Sequence, residues 1–201
     1  MLSDFSEKEI AIFNGLLDLI KQGCNPYSIK VSDMAKAANV GKGTIYEYFD
    51  SKQEAISKAI LFNINKEIES SFNRVKSKTC FKEKFDETLN IIAENTNNNL
   101  SIFNTLFSSN GMNDFFKYLI DEDYYFYTCA STIDLMLEHL LDVGYKEGII
   151  NTKENKYYQN IALLSSIGSF SMYVSYRRIY KDVSIDEAKE ISYKLLIKAL
   201  N

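Results

Sequence analysis

The chain has 201 residues, of which 46% are apolar, and its formal net charge is −4. This apolar content suffices for a buried core, but no uncharged apolar run reaches the length of about 18 residues that a membrane-spanning helix needs. With one proline and eight glycines, little interrupts long helices, so the composition favours an all-α protein. Because DNA-binding domains are usually basic, the acidic balance restricts any DNA-binding surface to a small part of the molecule.

The N-terminus lacks a basic segment followed by an apolar one, so we predict no secretory signal. The three cysteines, Cys24, Cys80 and Cys129, lie far apart and lack the spacing of metal ligands. We interpret them as reduced, mostly buried thiols. A cytoplasmic protein without metal or cofactor is therefore expected.

The first predicted helix begins at a capping box, the pair Ser6 and Glu9. Apolar residues then recur at helical spacing as far as Ile20, and Gly23 marks the end. Asn25 and Pro26 predict a turn.

Two short helices are predicted next, at residues 31–38 with Ser32 as N-cap and at residues 42–49. Asn39, Val40 and Gly41 separate them. The spacing is typical of a helix-turn-helix, in which the first helix braces the second as it enters the major groove of DNA.

The remaining chain is also predicted to be helical. Ser51 and Glu54 form a second capping box, and an apolar residue at every fourth position continues that helix to Val75. Ser184 and Glu187 form a third capping box, giving about nine helices in all. The other predicted helices span residues 80–96, 115–119, 121–144, 153–180 and 184–200, and a short apolar segment at residues 103–107 precedes the helix at 115–119.

Several residues suit a helix-turn-helix. Ala35 and Ala38 are small enough for two helices to cross closely, and Asn39 tolerates the left-handed conformation that the turn needs. The second helix is expected to expose hydrogen-bond donors and flat rings rather than apolar groups. The exposed set is Lys42, Thr44, Tyr46, Glu47 and Tyr48.

Residues 34–55 read Met-Ala-Lys-Ala-Ala-Asn-Val-Gly-Lys-Gly-Thr-Ile-Tyr-Glu-Tyr-Phe-Asp-Ser-Lys-Gln-Glu-Ala. This run resembles the signature of the TetR-type (tetracycline-repressor-like) transcriptional regulators. Two positions depart from the family pattern, since Asn39 stands where the family prefers Gly and Gly41 where it prefers Ser. The rest of the chain resembles the family in length, helix count and helix order.

The resemblance implies DNA contacts at particular positions. Ser32 and Lys52 would contact phosphates at the heads of their helices, and Tyr46 and Tyr48 would touch the DNA backbone. The start of the recognition helix would approach phosphates and base edges. The implied set is Ser32, Gly41, Lys42, Gly43, Thr44, Tyr46, Tyr48 and Lys52.

The resemblance also implies a three-helix DNA-binding domain at residues 1–52 and a larger ligand-sensing and dimerisation domain at residues 53–201. The last two helices would pair with those of a second copy. The small and apolar residues expected at this interface are Leu164, Ser165, Gly168, Met172, Ile191 and Leu195. The alternative is that the serines of this stretch simply face solvent.

Aromatic residues are concentrated in the middle helices, which indicates a mostly apolar pocket for a small-molecule effector. The candidates are Phe103, Phe107, Tyr118, Tyr127, Met136 and His139. Packing in the core is the alternative for each of them.

No catalytic arrangement of residues is recognisable, so we do not expect an enzyme. The sequence predicts a ligand-responsive regulator that binds a near-palindromic operator as a homodimer and is released by a largely apolar effector. Two alternatives stay open: a helical interaction module whose DNA-binding surface has decayed, and an enzyme on an all-helical scaffold.

Overall fold

The computed structural model describes residues 5–95 and 122–201, apart from the side chains of Tyr27 and residues 122–129. These residues form eight α-helices and one short 3-10 helix at Pro26–Ser28, with no strand in either described range. The all-α class is therefore confirmed. The helices are α1 (Glu7–Lys21), α2 (Val31–Ala37), α3 (Lys42–Tyr48), α4 (Lys52–Lys76), α5 (Phe81–Asn95), α6 (Glu122–Lys146), α7 (Lys156–Ser175) and α8 (Ile185–Ala199).

The predicted count of about nine helices is close but not exact. One predicted helix, at residues 115–119, lies outside the described residues, as does the apolar segment at residues 103–107. The described chain divides into two compact units. One unit comprises residues 5–67 and 122–129, and the other comprises residues 68–95 and 130–201. The long helix α4 begins in the first unit and ends in the second.

The core of the first unit is built around the ring of Phe13. The ring centroids of Phe5, Phe62 and Phe49 lie 5.0, 5.3 and 5.8 Å from that of Phe13. Such edge and tilted contacts between buried aromatic rings add specific attraction to the hydrophobic effect. The predicted capping box also forms, because the amide of Glu9 donates to the Ser6 hydroxyl and the amide of Ser6 donates to the Glu9 carboxylate.

Gly15 allows α1 and α2 to approach closely. A β-carbon on this residue would lie 2.8 Å from the carbonyl carbon of Ala37 and 2.8 Å from the amide nitrogen of Ala38. These are backbone atoms, which cannot rotate away. The sequence does not predict this role, because an isolated glycine inside an apolar helix looks the same whether or not another backbone crosses it.

In the second unit, one face of α5 is apolar and buried, since Phe81, Phe85, Leu89 and Ile92 all belong to the core. The sequence did not predict that Lys84 on the same helix is also buried. Its ammonium group donates to the carbonyl oxygens of Val75, Lys76 and Lys78 at 3.2, 3.0 and 2.5 Å. A cation thus binds carbonyl groups at the C-terminal end of α4 and just beyond it, where the helix dipole favours positive charge.

Arg74 joins α4 to α5 through two carboxylates. Its guanidinium group lies 2.7 Å from the Glu87 carboxylate and 2.7 Å from that of Glu94. Burial acts to raise the pKa of Glu87, but the hydrogen bonds from Arg74 and Asn90, together with the positive charges of Arg74 and Lys78, outweigh it, so the pKa is lowered overall. Separate hydrogen bonds from Arg74 lower the pKa of Glu94.

The prediction that Gly144 ends its helix is wrong. The helix α6 continues to Lys146, and the left-handed residue that follows it is Gly148, with φ of +70°. Gly144 instead provides space for packing, since a β-carbon there would lie 2.5 Å from Cδ1 of Ile150 and 3.2 Å from Cδ2 of Phe81.

Two further predictions need correction. The seventh helix is shorter than residues 153–180, because Asn155 caps its start by accepting a hydrogen bond from the amide of Tyr158 and the helix ends at Ser175. Cys24 is exposed rather than buried, whereas Cys80 is half-buried. Both thiols are free, and the Cys129 side chain lies outside the described residues.

Candidate nucleic-acid interface

The turn between α2 and α3 has the predicted left-handed residue. Asn39 adopts φ of +54°, a conformation that Asn tolerates better than most residues with a side chain. The amide of Asn39 donates to the carbonyl of Lys36 at 3.2 Å, and the amide of Val40 donates to that of Ala35 at 2.9 Å. These bonds close α2 and place Gly41 as the N-cap of α3.

The inner sides of the two short helices are apolar. Met34 and Ala35 on α2 are buried, as are Ile45 on α3 and Phe49 directly after it. Phe49 extends this contact to α1 through its ring contact with Phe13. Burial of the inner side therefore determines which residues of α3 face outward.

The candidate DNA-binding residues lie on the outer side of α3 or beside it. Lys42 and Tyr46 are exposed, and 61% of the Tyr46 surface is accessible. Thr44 and Tyr48 are half-buried. Their hydroxyl groups and the Lys42 ammonium give α3 several hydrogen-bond donors that the packing of the helix does not need.

Ser32 is not the N-cap of α2, contrary to the prediction. The N-cap is Lys30, whose amide donates to the carboxylate of Asp33 at 3.2 Å. Ser32 is the second residue of the helix and half-buried, and its hydroxyl lies 3.5 Å from the Asp33 carboxylate. The sequence pattern placed the cap at the Ser32 hydroxyl, but the carboxylate of Asp33 is the group that accepts from the free amide of Lys30.

Glycines leave open space on α3. A β-carbon on Gly43 would meet no atom within 4 Å, and one on Gly41 would meet only the Thr44 hydroxyl oxygen, at 3.8 Å. Neither residue has a positive φ. Internal packing therefore does not require glycine at either position. At Gly43, which lies inside the helix, glycine is less favourable than alanine by about 0.5–1 kcal/mol.

The start of α4 is held by a network of hydrogen bonds. The amide of Glu54 donates to the Ser51 hydroxyl at 3.1 Å, and the Glu54 carboxylate accepts from the amide of Asp50 at 2.7 Å. A hydrogen bond from Lys58 lowers the pKa of Glu54. Lys52, the predicted phosphate contact, is half-buried in the first turn of α4.

The charge around α3 is nearly balanced. Three lysines of this region are exposed, and so are three acidic residues, one of which lies on α3 itself. Any attraction to DNA must therefore come from individual contacts rather than from a broad basic surface. The six residues are Lys30, Lys36, Lys42, Asp33, Glu47 and Asp50.

Residues 25–57 match the sequence profile of a family described as bacterial regulatory proteins, tetR family. A TetR-family protein from Vibrio parahaemolyticus has a similar structure, with a TM-score of 0.64 and 18% identity over 96% of this chain and 98% of that chain. A TetR transcription regulator from Haloarcula marismortui gives 0.66 and 14%, over 98% and 100%. The resemblance to TetR-type transcriptional regulators is confirmed.

Among other TetR-type folds is the regulator FadR from Bacillus subtilis, solved in complex with stearoyl-CoA. Its TM-score to this chain is 0.57 and its identity 16%, over 96% of this chain and 97% of that chain. At such identities the similarity establishes the fold. No curated protein sequence matches the chain.

Two of the predicted pocket residues lie in the described part of the chain. Met136 is buried and His139 is half-buried. The His139 ring contacts that of Phe72, with centroids 5.8 Å apart, and its buried Nε2 has no hydrogen-bond partner in the described part of the chain. Phe103, Phe107 and Tyr118 lie outside the described residues, as does the side chain of Tyr127.

The predicted dimer residues lie on α7 and α8. Met172, Ile191 and Leu195 are large and exposed, with 51%, 45% and 50% of their surfaces accessible. Ser165 is exposed, whereas Leu164 and Gly168 are half-buried. A mainly apolar groove of about 310 Å³ runs beside them. It is lined by Tyr158, Ile161, Ala162, Ser165, Ser166, Leu195 and Ala199.

Within residues 5–95 and 122–201, no helix is long and apolar enough to cross a membrane. The same described residues contain no group of three or more His, Cys, Asp or Glu side chains placed to hold a metal ion.

Proposed function

We propose that this chain is a cytoplasmic transcriptional regulator that binds double-stranded DNA through the outer side of α3. One observation carries the proposal: α3 exposes Lys42 and Tyr46 beside Gly43, whose open space no part of the first unit fills. A phosphate or a base edge can approach a helix closely only where side chains do not block it. The DNA-binding domain would comprise residues 1–52.

The regulator acts as a homodimer formed by α7 and α8. Exposed apolar side chains on both helices, together with the groove between them, offer surface that a two-fold related copy would bury. Ser165 and Gly168 would let the helices of the two copies approach closely. Residues 53–201 would thus provide dimerisation as well as ligand sensing.

In the dimer, two copies of α3 would lie about 34–36 Å apart, one turn of DNA, and would occupy a near-palindromic operator. Repression in the absence of ligand is proposed as the direction of control. An effector would favour a conformation in which α4 has swung and this spacing is lost. Operator affinity would then fall by at most the factor by which the effector binds this second conformation more tightly than the first.

The effector is proposed to be a small, largely apolar molecule that contacts Met136 and His139. A buried imidazole nitrogen without a partner among the described residues is destabilising, and a polar group of the effector would relieve this. The Bacillus subtilis FadR was solved in complex with stearoyl-CoA, a ligand that joins an apolar acyl chain to a polar coenzyme A group.

The test is selection of bound DNA from a random pool, followed by measurement of affinity for the selected operator. Replacing Tyr46 or Lys42 by Ala should weaken binding without changing the helical content seen by circular dichroism. A transcription assay with that operator in the promoter should show repression without added ligand. Full affinity in both variants would overturn the assignment of this surface.

The two alternatives make different predictions. A helical interaction module with a decayed DNA-binding surface would select no sequence from the pool. An enzyme would require turnover, and no observation on the described residues favours one. The exposed donors on α3 favour the DNA-binding regulator.

A further inference from the structure

The side chain at the centre of the outer side of α3 is a carboxylate. Successive residues of an α-helix are rotated by about 100°, and Ile45, which is only 1% exposed, marks the inward direction. Two residues in either direction correspond to about 200° of rotation. Gly43 and Glu47 therefore point almost directly away from the core, and both are exposed.

Because Gly43 has no side chain, Glu47 alone projects from the middle of this surface. The hydrogen-bond donors lie on its two flanks. Lys42 and Tyr46 are on one flank, and Thr44 and Tyr48 are on the other. When the helix lies in the major groove, its flanks face the two phosphate backbones and its centre faces the base edges.

A carboxylate at this position is unfavourable near phosphates unless it accepts hydrogen bonds from DNA. Within the part of the chain that the structure describes, no ion pair or hydrogen bond engages the Glu47 side chain. Only the amino groups of cytosine and adenine donate in the major groove. Adenine presents its N7 acceptor beside that amino group, which would repel a carboxylate, so cytosine is the better partner.

We propose that Glu47 reads a cytosine at one symmetry-related position in each half of the operator, accepting a hydrogen bond from its N4 amino group. This inference rests on the proposed DNA-binding function and adds a specificity-determining residue to it. Glu47 also lowers affinity for DNA that lacks this cytosine, because its charge then faces the phosphates without compensation.

The test combines selection of operators with a double-mutant cycle. Operators are selected separately with the wild-type protein, Glu47→Gln and Glu47→Ala. The wild-type operators should contain the cytosine, and its replacement by thymine should weaken binding about 5- to 140-fold per half-site. The same replacement should have little effect on the Glu47→Ala protein. Glu47→Gln should instead select adenine at that position, since an amide can pair with both N6 and N7.

Asp18→Asn is the matched control, because it changes the net charge by the same amount at an exposed position of α1. It should leave the selected sequence unchanged. Binding to random DNA should rise in Glu47→Gln and stay constant in Asp18→Asn. Both Glu47 variants alter only an exposed side chain, and thermal unfolding would check that they fold.

The outcomes separate this inference from the proposed function. Selection of no operator by the wild-type protein overturns both. An operator that lacks the cytosine, or one in which thymine weakens wild-type and Glu47→Ala binding equally, overturns the inference and leaves DNA binding standing.

Discussion

At the scale of single residues, Gly15 and Gly43 have different roles, one in packing and one at the surface. Gly15 is required because the backbone of α2 lies where its β-carbon would be, whereas Gly43 faces open space. Sequence reasoning assigned Gly43 to the DNA-binding surface through the family resemblance but assigned nothing to Gly15. The difference depends on which segments meet in three dimensions, and a single sequence does not contain that information.

The two glycines give opposite predictions for substitution by alanine. Gly43→Ala should raise the free energy of unfolding by up to about 1 kcal/mol, because alanine is the better helix former, and should weaken operator binding by filling the space where DNA approaches. Gly15→Ala should lower the free energy of unfolding by about 1–3 kcal/mol, since the added methyl group overpacks two backbones. Urea denaturation and operator titrations measure both effects. A Gly43→Ala protein with unchanged operator affinity would contradict the proposed role of the open space.

At the scale of secondary-structure elements, apolar periodicity predicted most helices correctly. The stripe on α4 that includes Ile56, Ile60, Ile64 and Ile68 is buried as expected, because a residue at every fourth position must share one side of a helix. Helix ends were predicted less well. Gly144 looked like a helix end, and only its contacts with Ile150 and Phe81 show that it is a packing position.

Charged residues inside an element were not predicted at all. Lys84 and Glu87 are buried on α5 although both residue types are usually exposed. Their partners are the end of α4 and Arg74, which only the folded chain brings together. Pairing of this kind between neighbouring helices leaves no signal in residue spacing.

The ion pairs of Arg74 with Glu87 and Glu94, which join α4 to α5, should make the free energy of unfolding depend on pH. The pKa values of Glu87 and Glu94 are lowered in the folded protein, so folding favours their ionised forms. Their contribution to stability is complete above the unfolded-state pKa of 4.5 and is lost as the pH falls through the lower folded-state values.

Removing Arg74 should therefore flatten this acid dependence. Arg74→Met should be less stable than the wild-type protein at pH 7, and its free energy of unfolding should change less below pH 4.5, the unfolded-state value. Urea denaturation at a series of pH values and one protein concentration measures this. Arg177→Met is a control at an exposed arginine and should keep the wild-type dependence. If the free energy of unfolding changed equally with pH in Arg74→Met and in the wild type, the proposed effect of these ion pairs would be contradicted.

The exposed side of α7 and α8 predicts how the molecule associates. Leu195→Asp should convert the proposed dimer into a monomer, because a carboxylate would have to be buried in an apolar interface. Leu135→Asp on α6 is the matched control, since Leu135 is 54% exposed and Leu195 50%. Sedimentation equilibrium distinguishes the two masses. A dimeric Leu195→Asp protein, or a monomeric wild type, would contradict the proposed interface.

At the scale of the whole molecule, the all-helical class and the position of the helix-turn-helix were both predictable from sequence. Few residues break the helices, and the turn at Asn39 requires a conformation that few residue types tolerate. Met136 and His139 of the predicted ligand pocket belong to the described part of the chain, and so do all the predicted DNA-binding residues.

The dependence of operator affinity on salt tests the central claim most directly. If Lys42 contacts phosphate in each subunit, the logarithm of the wild-type binding constant should fall steeply with the logarithm of salt concentration. In Lys42→Ala that slope should be smaller by about one per subunit, or about two per dimer. An unchanged slope in the variant, or wild-type binding that is insensitive to salt, would contradict the claim that the outer side of α3 contacts DNA.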